Sequence, residues 1–144
     1  MTMKLIPYFV MAGNANEAIE FYQEALGGKL EYKQTFGEMP ENPEFPLPEE
    51  AKSLVSHATV KFGETDVMFS DSFPGQPHQS GNQVTLCISI DSKEKAEHIF
   101  NALKEGGQVS MPLQETFFSP AYAIVVDKFG ITFQIYTEKA MSGS

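Results

Sequence analysis

The feature that most constrains this 144-residue chain is an order of structural signals that occurs twice. In the first half, residues 4–11 form a short apolar run ended by Gly13-Asn14, which predicts a strand, with Pro7 marking an edge or a bulge. Ala15, Ala18, Ile19, Tyr22, Ala25 and Leu26 then recur at helical spacing while Glu17, Glu20, Gln23 and Glu24 face water. Asn14 is placed to N-cap this helix with Glu17 at the third position, and Gly27-Gly28 ends it. Lys29 to Phe36 reads as a second strand. Residues 39–48 hold four prolines and read as a loop, a lid or dimer arm or an idle insertion. Leu54 to Phe62 and Asp66 to Ser70 form a predicted hairpin around Gly63-Glu64.

The same order returns after a linker from Asp71 to Asn82. A strand is predicted from Val84 to Ile90 and a helix from Ser92 to about Glu105, with Asp91 capping, Glu94 as its box partner and a stripe of Ala96, Ile99, Phe100 and Leu103. Gly106-Gly107 stops it, and strands follow near Val109–Phe117, Ala121–Val126 and Ile131–Thr137. Phe62-Gly63 and Phe129-Gly130 open the final strand of each half. The prediction is an α+β chain of two βαβββ modules, about 3–72 and 82–138, within one domain. Each helix stripe covers one sheet face, and the other face curls into a half-barrel whose concave side suits a small ligand.

Bulk properties narrow the partners. At this length a single core buries ~70% of the unfolded surface. Nineteen acidic against ten basic residues give a net charge of −9, which repels nucleic acid and anionic lipid. The single cysteine, Cys87, excludes a disulfide framework or a multi-cysteine zinc site and fits a reducing, cytoplasmic setting. No apolar run reaches membrane-spanning length, and the first residues do not read as a secretion signal.

Among individual residues, His57 alternates with Thr59 and Lys61 on the more polar face of its strand. It is either an acid, base or ligand-orienting group of the cavity or a hydrogen-bonded histidine of the wall. Gln134 shares a face with Thr132 and Tyr136, and Thr85 shares one with Cys87 and Ser89, which predicts a polar, largely uncharged cavity. Cys87 reads as a small buried residue, His78 as a solvated linker residue and His98 as a polar helix-face residue. Tyr8, Phe9, Phe36, Phe69, Phe117, Phe118, Tyr122 and Phe133 form a strand-rich aromatic set, much of it core, from which Phe117 and Phe118 could clamp a planar ligand.

Pro7-Tyr8-Phe9, Gly13-Asn14-Ala15, Glu17-Ala18-Ile19, Phe21-Tyr22, Leu26-Gly27-Gly28, His57-Ala58, Met68-Phe69-Ser70-Asp71 and Asp127-Lys128-Phe129-Gly130 together resemble PhnB-like proteins. These belong to the glyoxalase, bleomycin-resistance and dioxygenase (vicinal oxygen chelate) superfamily. The resemblance implies the two-module fold, a homodimer and a small-molecule ligand, with His57, Thr85, Gln134, Phe118 and Tyr122 as the expected ligand-binding residues. It implies no single chemistry, because this superfamily holds isomerases, dioxygenases, thiol transferases and non-enzymatic drug binders. Metal-dependent relatives place divalent-ion ligands on the first and last strands of each module. Here those places fall near Pro7 or Tyr8, Val67, Thr85 and Gln134, none of which offers an imidazole or carboxylate. Three readings stand: a metal-free small-molecule binder without a cofactor, a divalent-metal-dependent lyase, isomerase or dioxygenase-like enzyme using His57 with Gln134 and one ligand that the sequence does not single out, and an interaction module with a self-filled barrel.

Overall fold

The computed structural model describes residues 3–40, 43–44, 46–72 and 78–139. The chain divides into two compact units with the boundary after His78. Each repeats strand, helix and three strands, as the doubled signals predict.

In the first unit β1 (Tyr8–Met11) leads into α1 (Ala15–Leu26), then β2 (Lys29–Thr35), β3 (Val55–Phe62) and β4 (Thr65–Asp71). The strands form one mixed sheet ordered β1-β4-β3-β2, with β1 parallel to β4 and the remaining pairs antiparallel. Helix α1 buries Ala15, Ala18, Ile19, Tyr22 and Ala25 against β2, β3 and β4. Across that seam Phe9, Tyr22 and Phe69 pack with ring centroids 5.2–5.9 Å apart. Ala58, Val60, Val67 and Phe69 complete the buried layer. The helix ends where Gly27 takes φ +72° and its N–H reaches Gln23 O at 2.9 Å, a geometry that side chains with a Cβ disfavour.

The second unit is built in the same way from β5 (Leu86–Ile90), α2 (Lys93–Leu103), β6 (Gln108–Gln114), β7 (Tyr122–Val126) and β8 (Thr132–Thr137), ordered β5-β8-β7-β6. Ala96, Ile99, Phe100 and Leu103 are its buried helix stripe, facing β7 and β8. Pro112 lies in β6, an outer strand of the sheet, where its missing N–H removes no interior ladder bond.

Several expectations shift. The first strand begins at Tyr8 rather than residue 4, because pairing with β4 starts there, at Tyr8 opposite Met68. The strand expected to run to Phe117 ends at Gln114, where a turn closed by Thr116 N–H to Ser119 O (2.8 Å) replaces it. The helix caps also differ. Asn14 makes no capping bond, and its side-chain oxygen is buried without a partner. The N-terminal N–H of α1 at Ala15 donates instead to Asp71 Oδ1 at 2.9 Å, from the end of β4. In α2 the cap is Ser92, whose Oγ accepts from Lys95 N–H (3.3 Å) and donates to Glu94 (3.0 Å), while Asp91 pairs with Lys95 at 3.6 Å. Residues 41, 42 and 45 of the proline-rich loop and 73–77 of the linker lie outside the described residues. Among the described residues no helix is long and apolar enough to cross a membrane.

Candidate functional site

Each sheet has one face under its helix and one helix-free face, and strand alternation assigns side chains between them. In the first unit Phe69 and Val67 go to the helix, so Met68 and Ser70 take the other face. Register then sets a row across the helix-free face, from Tyr8 on β1 through Met68 and Thr59 to Tyr32 on β2. His57 stands one step along β3 from this row. Its Nδ1 lies 3.3 Å from the Tyr8 hydroxyl and its Nε2 3.5 Å from Thr59 Oγ1. The imidazole is flanked by Tyr8 and Tyr32, at centroid distances of 5.8 and 6.2 Å and the same 45° tilt.

In the second unit the corresponding face carries Cys87 and Ser89 on β5, Gln134 and Tyr136 on β8, and Tyr122 and Ile124 on β7. Thr85 sits just before β5. Gln134 is the centre of this face: its Oε1 accepts from the Tyr122 hydroxyl at 2.5 Å and its Nε2 donates to Thr85 Oγ1 at 2.9 Å. Phe118 closes one side, edge-on to Tyr122 (4.9 Å, 76°) and parallel to Tyr136 (6.3 Å, 6°). Burial, with Cys87 alongside, pushes the Tyr122 phenol above its usual range, so it is a neutral donor at ordinary pH.

The repeat extends to the site. Met68 pairs with Tyr8 and Thr59 as Gln134 pairs with Cys87 and Ile124. His57 and Tyr122 therefore occupy equivalent places, one step along the neighbouring strand. Of the residues expected to bind ligand, the structure brings Thr85, Gln134, Tyr122 and Phe118 together in the second unit and places His57 in the first. Tyr32 and Met68 are additions to the expected set. Met68 replaces Val67, which is 8% exposed beneath the helix side of the sheet. Counting back from the two-residue turn, where Phe62 faces Thr65, would have set Met68 opposite Thr59.

The other titratable candidates separate cleanly. Cys87 is exposed rather than buried, because it is on the helix-free face beside Gln134. Partial burial still raises its thiol pKa, which keeps it protonated and slow to act as a nucleophile near neutral pH. The thiol is accordingly expected to react slowly with a disulfide reagent at neutral pH, with its rate still climbing beyond the pH at which an unstructured thiol levels off. A rate profile that levels at the ordinary thiol pKa would contradict this. His78 is exposed but not simply solvated, since its Nε2 donates to Val10 O at 2.9 Å on β1. His98 is exposed on α2.

A divalent ion does not fit these donors. The position on β8 is an amide whose oxygen and nitrogen are both already bonded, and its first-unit equivalent is the thioether of Met68. On the first strands stand a phenol and a thiol with a raised pKa, and Tyr8 is bonded to His57. Among the described residues no three His, Cys, Asp or Glu side chains group together.

Comparisons with known proteins agree with this architecture. Protein YjdN of Escherichia coli (strain K12) is 35% identical over 147 residues, spanning 95% of this chain and 97% of its own. The crystal structure of protein PA1353 from Pseudomonas aeruginosa superposes with a TM-score of 0.85 at 34% identity, covering 96% of this chain and all of that one. The PhnB protein from Bacillus cereus shares the fold at a TM-score of 0.77 and 21% identity, covering 94% and 99% of the two chains. A family model matches residues 4–135, and on that match, with the repeated βαβββ units, the chain belongs to the glyoxalase/bleomycin resistance protein/dioxygenase superfamily.

Proposed function

We propose that this chain is a metal-free small-molecule binding protein of its superfamily. The observation that carries the reading is the Tyr122–Gln134–Thr85 chain, which engages both ends of the amide at the β8 position. Recruiting Gln134 Oε1 to an ion would strip the Tyr122 hydroxyl, 9% exposed as a residue, of its acceptor, at a cost of ~1–3 kcal/mol. The second unit's helix-free face presents aromatic rings around a chain of uncharged hydrogen-bonding groups, the combination that holds small organic ligands. The likeness to bleomycin-resistance proteins adds a pairing of two chains to the reading, and the single cysteine adds a reducing, cytoplasmic setting.

Elemental analysis of protein purified without chelator tests it. The expected result is metal far below one equivalent, with no rise in melting temperature on adding nickel, manganese or iron, because an ion held only by the folded chain raises it. One tightly held equivalent, or turnover that follows metal loading, would replace the binder by the metal-dependent lyase, isomerase or dioxygenase-like enzyme.

A further inference from the structure

The second unit's helix-free face carries enough geometry to define the chemistry of what it holds. Its polar chain contains four polar hydrogens, one each on the Tyr122 and Thr85 hydroxyls and two on the Gln134 amide. The two internal bonds use two of these, whichever way the amide is turned. Two donors are left over at half-buried groups. Donors on half-exposed groups bond water, so a ligand that displaces this water must offer an acceptor in its place or leave them unpaired.

Among the described residues no positive charge acts on Cys87 or Tyr122. Cys87 and Tyr122 are both held neutral by burial, with Cys87 a further influence on Tyr122. At the rim Ser89 Oγ donates to Glu138 at 3.0 Å, which fixes a carboxylate beside the face. An anionic ligand would be repelled by this charge.

The apolar contribution comes from a turn built to stay still. Thr116 Oγ1 accepts from the N–H groups of Phe118 (3.3 Å) and Ser119 (3.1 Å), and Thr116 N–H donates to Ser119 O at 2.8 Å. Ser119, fully buried, bonds through Oγ to the backbone of Ala121 and Thr137. This frame holds Phe117 89% exposed and edge-on to Phe118 at 5.1 Å. Phe118 in turn lies against Tyr122 and Tyr136 on the face itself. A phenylalanine kept in water by a pinned turn gains from burial against an apolar partner.

We propose that this face binds uncharged planar aromatic compounds bearing a carbonyl, with the ring against Phe117 and Phe118 and the carbonyl oxygen accepting from the Thr85–Gln134 end of the polar chain. The proposal deepens the binder reading and rests on it. Coumarin, naphthalene and coumarin-3-carboxylate, titrated in turn into the whole chain and followed by 15N–1H NMR, test it. Coumarin is expected to give saturable shifts at Phe118, Tyr122 and the Gln134 side-chain amide. One net hydrogen bond of about 1 kcal/mol should make it roughly fivefold tighter than naphthalene, although naphthalene is the more hydrophobic. The carboxylate should bind more weakly than either.

Thr85→Val alone frees a second Gln134 amide hydrogen and should leave the preference in place, whereas Thr85→Val with Gln134→Leu removes every donor at that end and should erase the preference for coumarin while naphthalene still binds. Phe117→Ala should weaken both neutral compounds with no loss of melting temperature. Naphthalene binding as tightly as coumarin to the unaltered chain, or shifts confined to other residues, would overturn the proposal. A chain that then bound other organic molecules would keep the binder reading. Stoichiometric metal would remove that reading on its own.

Discussion

Asp71→Ala is expected to remove roughly 3–5 kcal/mol of unfolding free energy, on the basis of two stranded N–H groups and a lost charge. Asp71 is 3% exposed at the end of β4, and its two oxygens serve different elements. Oδ1 accepts from Ala15 N–H, the start of α1, and Oδ2 from Val55 N–H, the start of β3, both at 2.9 Å. Alanine leaves two buried donors without acceptors and removes the negative charge from a helix N-terminus, where it is favoured. A domain of this kind has about 5–15 kcal/mol in total, so the variant should sit near the edge of folding. Asp71→Asn retains an acceptor for one N–H but turns an amide N–H toward the other, and should fall between. Urea unfolding with an unchanged slope is the measurement. A loss below about 1 kcal/mol for alanine would show that the carboxylate is not what joins α1 to β3.

That clamp also shows what could and could not be read along the chain. Both helices were legible, because the stripes at Ala15–Leu26 and Ala96–Leu103 depend only on local spacing. The cap of α1 was not, since its acceptor lies 56 residues away and the local candidate, Asn14, leaves its oxygen unpartnered. The candidate site divides along the same line. Alternation within a strand placed Thr132, Gln134 and Tyr136 on one face and Thr85, Cys87 and Ser89 on another, and the structure joins these faces through the pairing of Cys87 with Gln134. The bond from Tyr122 to Gln134 needed the β7–β8 register, which depends on the residues between Val126 and Thr132. Asp127 sets that turn by accepting from Phe129 and Ile131 N–H through Oδ1, a contact that spacing alone does not reveal. Local sequence favours a buried Cys87 because small apolar residues usually are. Its strand face has no helix over it, and that is a property of topology rather than composition.

Gly107→Ala should cost about 3 kcal/mol, at the upper end for overpacking, and lower the melting temperature by roughly 10 °C. A Cβ at Gly107 would stand 2.2 Å from Val126 O and 2.9 Å from Asp127 C and Cα. These are backbone atoms in the ladder where Gln108 faces Val126, so no rotamer change relieves the clash. Relief requires β6 to draw away from β7, which opens the sheet at the end that starts after α2. Gly28 occupies the matching place in the first unit, yet its added Cβ would meet the Phe62 ring, at 2.3 Å. A ring at the end of a side chain can swing, so Gly28→Ala should be the milder of the two. Gly81, with nothing within 4 Å of an added Cβ, supplies the control, and its alanine variant should stay within about 0.5 kcal/mol of the unaltered chain. The order Gly107, Gly28, Gly81 in falling cost, measured by thermal and urea unfolding, follows from what each Cβ would strike. Equal costs at all three would mean that loss of glycine flexibility, and not the close approach of β6 to β7, sets the penalty. Tyr122 is held on β7 opposite Gln114 of β6, so a β6 displaced along its length from β7 would also loosen the strand that positions the phenol over Gln134.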